Sequence, residues 1–347
     1  MASIFDTVRL DGVVEQHRGS VTGYLGWLLF EGPVIVSQET LAIDIVDIAE
    51  HGVPPHCDPG HGGTQIDKVG YKTEFFKPPV RHYKTVLGRT DSIERLPGEA
   101  PLGTLSPEER LAALAGIELE RILRRIDEGR ECDAASAIVN GYFDASWKES
   151  DGQTKTRRYT FDASPQSSTV SNAWGSANAD PLGDLLAIRA SVAGASGTVA
   201  DQVVMNSATF AKFIASPKVA EALRAGQASF ASLDVNRKPE SIGGFYVGRC
   251  LGFDVHVVDE AYSANASTLT KLIPDNMAIV CSRGAAKMFY GIADTLSRPA
   301  DNQLIISAGD YITNAKVADE GLIVEATQAA LPAILKPKAF WRLTTTV

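Results

Sequence analysis

The residues with the most chemical potential lie in one short run. Residues 51 to 63 read His-Gly-Val-Pro-Pro-His-Cys-Asp-Pro-Gly-His-Gly-Gly, which places His51, His56, Cys57 and His61 close together. Imidazole and thiolate bind zinc, and a zinc-held water is a common hydrolytic nucleophile at neutral pH. Zinc sites, however, draw ligand pairs from rigid turns or helices at recurrent spacings, and this run matches none of them. The reading preferred is a glycine and proline turn with solvated histidines, so no metal ligand is assigned. A metal-dependent hydrolase using His51, His56 and His61 is kept as a distant alternative.

The other catalytic motifs fall short. Val192-Ala-Gly194-Ala-Ser196-Gly197 completes neither a nucleophile elbow nor a dinucleotide loop. It also follows a predicted helix where both motifs need a strand. No Walker A, HExxH or EF-hand run occurs. Asp44 and Asp47 sit on a predicted strand, where that spacing points them to opposite faces. No catalytic residue and no cofactor is expected, and the chain is not read as an enzyme.

Recognition chemistry is better represented. Tyr71, Phe75, Phe76 and Tyr83 alternate with Lys68, Lys72, Lys77, Arg81 and Lys84. Such a pattern suits base stacking on a basic groove, or apolar side chains packed on a neighbouring protein. The chain holds 33 Lys and Arg against 42 Asp and Glu, a net charge of -9. Tight phosphate binding needs the opposite balance, so the neighbouring protein is favoured and contact with DNA should be weak and non-specific.

The elements that carry these residues are unusual. Prolines at 54, 55, 59, 78, 79, 97 and 101 rule out a helix between 51 and 105. Lys72 to Lys77 and Val80 to Leu87 are predicted as two arms of a long hairpin with mixed polar faces and little core of its own. Compact domains rarely hold so long a segment unless something else orders it. Lys68, Tyr71, Lys72, Phe75, Phe76, Arg81 and Tyr83 are therefore assigned to contact with another subunit. An ordinary edge hairpin lying on its own domain is the competing reading.

Ser106-Pro-Glu-Glu109 then gives a strong helix start, with Ser106 as N-cap, Pro107 at the first helical position and Glu109 closing a capping box. Leu111, Leu114, Ile117, Leu119, Ile122, Leu123 and Ile126 follow with three- and four-residue spacings among them, and arginines and glutamates lie on the other face. Asn140-Gly141 supplies the stop, and Gly116 and Gly129 are candidate bends. Upstream, residues 1 to 36 look like an arm, and 37 to 49 give a strand burying Ile43 and Ile45.

Downstream, residues 142 to 161 form a hairpin and 163 to 180 a polar linker. Helices are predicted from 181 to about 193 and from 207 to 225. Strands are predicted at 202 to 205, 244 to 247, 253 to 258, before Cys281, 321 to 330 and 339 to 347. The segment 181 to 300 reads as an insertion between two parts of a first domain. Four scattered cysteines exclude a disulfide framework and suit a reducing cytoplasm. The N-terminus lacks a signal-peptide pattern, and no apolar run approaches a bilayer span.

The order of these features resembles the major capsid protein E family of lambda-type tailed phages. Similar runs are Arg95-Leu96-Pro97-Gly98-Glu99, Ser106-Pro-Glu-Glu-Arg110, Arg130-Glu131 with Ala134-Ala135, and Asn140-Gly141. Ile273-Pro274-Asp275-Asn276-Met277, Glu325 and Gln328-Ala329-Ala330-Leu331-Pro332 continue the likeness. The resemblance implies an α+β Hong Kong 97-type capsid fold. Its parts would be an N-terminal arm (1 to 36), a peripheral domain (37 to 180 and 301 to 347), an extension loop (about 50 to 105), a spine helix (about 106 to 141) and an axial domain (181 to 300).

The function implied is a self-assembling subunit whose hexamers and pentamers tile an icosahedral shell around double-stranded DNA. A separate scaffolding protein, a portal protein and a small decoration protein would be partners, and no membrane. The subunit would be assembled in the host cytoplasm and reside in the virion. A cellular nanocompartment built on the same fold is the nearer alternative function.

Overall fold

The computed structural model describes residues 12–17, 23–46, 71–88, 90–91, 93, 106–149, 151–162, 164–225, 228–229, 243–263, 269–293, 307–318 and 321–347. A helical turn α1 (residues 12–17) and helix α2 (Tyr24–Leu29) lead into β1 (Phe30–Ile35), β2 (Leu41–Val46), β3 (Tyr71–Phe76) and β4 (Val80–Leu87). Helix α3 (Pro107–Asn140) follows, then β5 (Tyr142–Lys148), β6 (Thr154–Thr160), β7 (Gln166–Thr169) and α4 (Pro181–Ser196). Next come β8 (Gln202–Met205), α5 (Ser207–Ala215), α6 (Pro217–Arg224), β9 (Ala228–Ser229), β10 (Gly244–Cys250) and β11 (Phe253–Val258). The chain ends through β12 (Ala261–Ser263), β13 (Leu269–Lys271), β14 (Met277–Cys281), β15 (Ala286–Tyr290), β16 (Ile292–Ala293), β17 (Ser307–Ala308), β18 (Ile312–Ala318), β19 (Gly321–Ile334) and β20 (Phe340–Thr344).

The 34-residue α3 is about 51 Å long at 1.5 Å per residue. Its start is the predicted capping box, with Ser106 Oγ accepting from Glu109 N–H and Glu109 accepting from Ser106 N–H. Its stop is Gly141 at φ 81, where an added Cβ would lie 2.4 Å from the Asp162 carbonyl oxygen. Only glycine fits there without moving the backbone. Leu119, Leu123 and Ile126 pack on Leu322, Val324 and Ala326 of β19. Ala134, Ala137 and Ile138 join Leu25, Phe143 and Phe340 in a second core.

Strand β19 organises one sheet. Its first half lies between β18 and β4, and its second half pairs with β15, which in turn pairs in parallel with β1. Buried on both faces, it reads as a near-continuous apolar run. The other large sheet has the order β7-β20-β14-β8-β11-β10-β9 and encloses Val203, Val255, Val280 and Leu343 against α4 and α5.

Several elements differ from the sequence expectation. Strands β3 and β4 are not arms of one hairpin: β3 pairs with β2, and β4 pairs with β19 over eight residues. Pro78 and Pro79 between them have no N–H to give to a ladder, so the chain leaves one sheet and joins another. Residues 24 to 35 are not a free arm, since Tyr24, Leu25, Leu29 and Phe30 are buried. Their run is too short to show a period. The predicted helix 207 to 225 breaks at Ser216-Pro217, and the linker 163 to 180 contains β7, whose polar Gln-Ser-Ser-Thr gives no strand signal. The sheets also cross the expected cut near 300, because β15 lies beside β19 while β20 lies beside β14.

Candidate inter-subunit surface

Each side chain assigned to contact with a neighbour has its own surroundings. Lys68 lies outside the described residues, as do His51, His56, Cys57 and His61. Tyr71 and Lys72 belong to β3 by backbone, in register with Val46 and Ile45. Phe75 and Tyr83 are exposed, at 69% and 43%. These two remain available to a partner.

Phe76 and Arg81 do not. Phe76 is buried, with its ring 5.3 Å from Phe161 and 6.2 Å from Tyr159. It alternates with Phe75 across the strand, so one phenyl faces the core and the other faces out. Arg81 crosses α3 at Gly129 and bonds Asp133 at 2.7 Å with both side chains largely covered. The assignment of both residues to a neighbour is corrected: they hold β3 and β4 to their own subunit.

Beside Arg81 and Tyr83 opens a cleft of about 1440 Å³, walled by Pro78 and Pro79, by α3 from Arg124 to Cys132, and by Trp147. Trp147 is 46% exposed and Val80 47%. On its cationic side Arg124 pairs with Glu120, and the Arg157 guanidinium lies 5.2 Å from the Tyr159 ring centre. Large exposed aromatics with nearby arginines are the usual anchors of protein interfaces. The sequence reading missed Trp147 because it looked like part of a solvated hairpin.

It also missed a buried polar layer on α3. Asp127 accepts from the Tyr311 hydroxyl at 2.5 Å, bonds His17 at 2.8 Å and pairs with Arg130 at 3.0 Å. Arg130 donates to the Tyr290 hydroxyl at 3.1 Å. Glu131 is 2% exposed, and burial first, then the Glu260 charge, pushes its pKa up to about 8. These charges were expected on a solvated helix face. The face is covered by α1, α2 and the β15 sheet, and nothing in a helical spacing announces that.

None of these groups forms a nucleophile and base pair around an open substrate site, and the arrangement is structural. The family model for phage major capsid protein E matches residues 6–345. The chain belongs to that family. No curated relative matches it in sequence.

As a capsid protein it resembles solved structures over nearly its whole length. A protein described as a prophage capsid protein from E. coli CFT073 aligns at 14% identity and TM-score 0.65, covering 97% of this chain and 98% of that one. A phage-related protein from Bordetella bronchiseptica RB50 aligns at 12% identity and TM-score 0.55, covering 99% and 98%. The capsid of an empty GTA particle aligns at 11% identity and TM-score 0.50, covering 94% and 91%. The fold is the Hong Kong 97 capsid type. This capsid protein is a structural component of the virion that self-assembles, and it is not an enzyme. The family match favours a virion shell over a cellular nanocompartment. No helix among the described residues is long and apolar enough to cross a membrane.

Proposed function

We propose that the subunit forms hexamers and pentamers that close an icosahedral head around double-stranded DNA, with the segment of about residues 50 to 105 reaching the adjacent subunit. The observation that carries this reading is the exposed aromatic set, Phe75, Tyr83 and Trp147, on a chain of a shell-building family. Isolated exposed apolar residues are ordinary, but Tyr83 and Trp147 line one cleft, and aromatics so placed are a typical contact surface. Many such contacts, each weak, add up in a closed lattice.

The acidic balance fits a wall that touches DNA weakly and without sequence preference, because a shell that gripped phosphates would hinder filling and release. A separate scaffolding protein would guide closure, a portal protein would occupy one vertex, and a small decoration protein would bind outside. Assembly would take place in the host cytoplasm. Negative-stain imaging of the purified subunit, with and without a co-expressed scaffold, tests the core of this proposal. Closed shells of uniform diameter are expected; small discrete oligomers under every condition would overturn it.

A further inference from the structure

Helix α2 is held by two buried carboxylates from distant parts of the chain. Glu131 of α3 accepts from the Leu25 N–H and, at 3.0 Å, from the Gly26 N–H. Glu260, just after β11, accepts from the Tyr24 N–H at 3.1 Å. Three consecutive amides of one turn thus end on two acids. Gly23 and Gly26 make room: a Cβ at either would lie 2.5 or 2.7 Å from Glu131 Oε2. Two carboxylates this close in a desolvated place resist ionising together.

We propose that Glu131 and Glu260 form a proton-dependent latch on α2, closed while the pair keeps a proton and opened when both acids ionise. What opens is the junction where the N-terminal segment enters the body, since α2 runs directly into β1. The other charged or titratable groups around the pair do not replace the missing proton. Arg130, on α3, is the cation nearest in sequence, and Asp127, Tyr290 and Tyr311 already engage it. Arg81 is bound to Asp133, and Cys132 sits beside them on α3. From the β11 side Asp259 accepts from Ser207, and His256 accepts from the Tyr24 hydroxyl, while Tyr262 lines the same cleft.

The direction of the response follows from the raised values, about 8 for Glu131 and about 6 for Glu260, both caused chiefly by burial. A carboxyl whose pKa rises on folding contributes stability that is complete below its unfolded value and is lost as pH climbs through the folded one. The latch is therefore complete only below about pH 4.5, weakens as pH climbs through 6 to 8, and is fully released above about 8.

Hydrogen exchange of residues 23 to 30 in the full-length subunit tests this, read as protection factors so that the intrinsic base catalysis is removed. Wild-type protection should fall from pH 6 to 8, approaching tenfold per pH unit, the slope of one linked proton, and level off above about 8 where both states are ionised. Glu131→Gln, which keeps the shape and an acceptor oxygen, should remove the fall. Glu260→Gln, which leaves Glu131 but removes its charged neighbour, should make the fall shallower, and it keeps the proposal testable if the buried substitution prevents folding. Constant wild-type protection from about pH 6 to 8, or an undiminished fall in either variant, would overturn the latch.

Discussion

His256 has one tautomer that satisfies all its partners. Gln202 Nε2 donates to Asp254 at 3.4 Å, which leaves Gln202 Oε1 to accept from His256 Nε2–H at 2.9 Å. The bare Nδ1 then accepts from the Tyr24 hydroxyl at 2.7 Å. Burial holds the pKa of this ring down at about 4, with Asp254 opposing and Arg283 assisting. Because the folded value lies below the free value of 6.5, the unfolded chain binds the extra proton between those limits. The contribution is intact above pH 6.5 and is lost as pH falls through 4, on the order of 3 kcal/mol for one proton over that interval. Urea unfolding of the subunit between pH 7 and 4 should show this loss, and His256→Gln should reduce it. An unchanged acid response in the variant would assign the effect elsewhere. Neither His256 nor Glu131 was legible beforehand, because a single titratable residue in a strand or helix looks the same whether water or a buried partner receives it. Phe75 was legible as a candidate contact for the opposite reason. Strand alternation alone divides it from Phe76, and only the facing residue, Phe161, decides which of the two is inside.

Helix α3 was the most legible element, since its two ends are written in local chemistry. Ser106 and Glu109 satisfy each other's backbone donors, and Gly141 takes the left-handed turn that ends the helix. Ser106→Ala should cost about 1 kcal/mol, within the usual range for loss of an N-cap. Gly141→Ala should cost more, because strain at positive φ adds to a clash with Asp162. The last turn has no basic residue of its own, and Arg342 from β20 supplies the charge, its Nε donating to the Ile138 carbonyl at 2.7 Å. Arg342→Met should lose about 1 kcal/mol, because the unpaired carbonyl is partly offset by removal of a buried guanidinium whose two terminal nitrogens make no hydrogen bond among the described residues. Denaturant melts of the three variants check the order; a Gly141→Ala variant no less stable than Ser106→Ala would contradict the account of the helix stop. The elements that were misread share one cause. Strand β4 is mostly polar and β7 entirely so, and each is a strand because β19 or β20 offers a free edge. Partners about 175 to 250 residues away in sequence set such strands, and local pattern does not carry that information.

At the scale of the whole subunit, the register of β2 and β3 changes what the proline-rich segment can be. Val46 lies opposite Tyr71, so residues 47 to 70 leave and return at one point on the body. Strand β4, by contrast, is an edge strand of the subunit's own sheet, with Leu87 buried against α3 and eight residues in register with β19. Removing residues 60 to 95 would take β3 and β4 with it and leave eight residues of β19 unpaired along one edge. Such a deletion tests folding, not assembly. Replacing 48 to 69 with a linker of about four residues, a common hairpin length, keeps both paired strands and their core contacts. If that segment serves a neighbour, the shortened subunit should stay soluble and cooperative, with a melting temperature within a few degrees of wild type. It should form no shells with co-expressed scaffold. The paired change Phe75→Ala with Tyr83→Ala should likewise leave stability nearly unaltered, since both side chains are exposed, while lowering shell yield. Shells of normal size from the shortened chain would show that the segment is dispensable to assembly. An unfolded product would show that it belongs to the subunit's own core, because the strands on either side of it are unchanged.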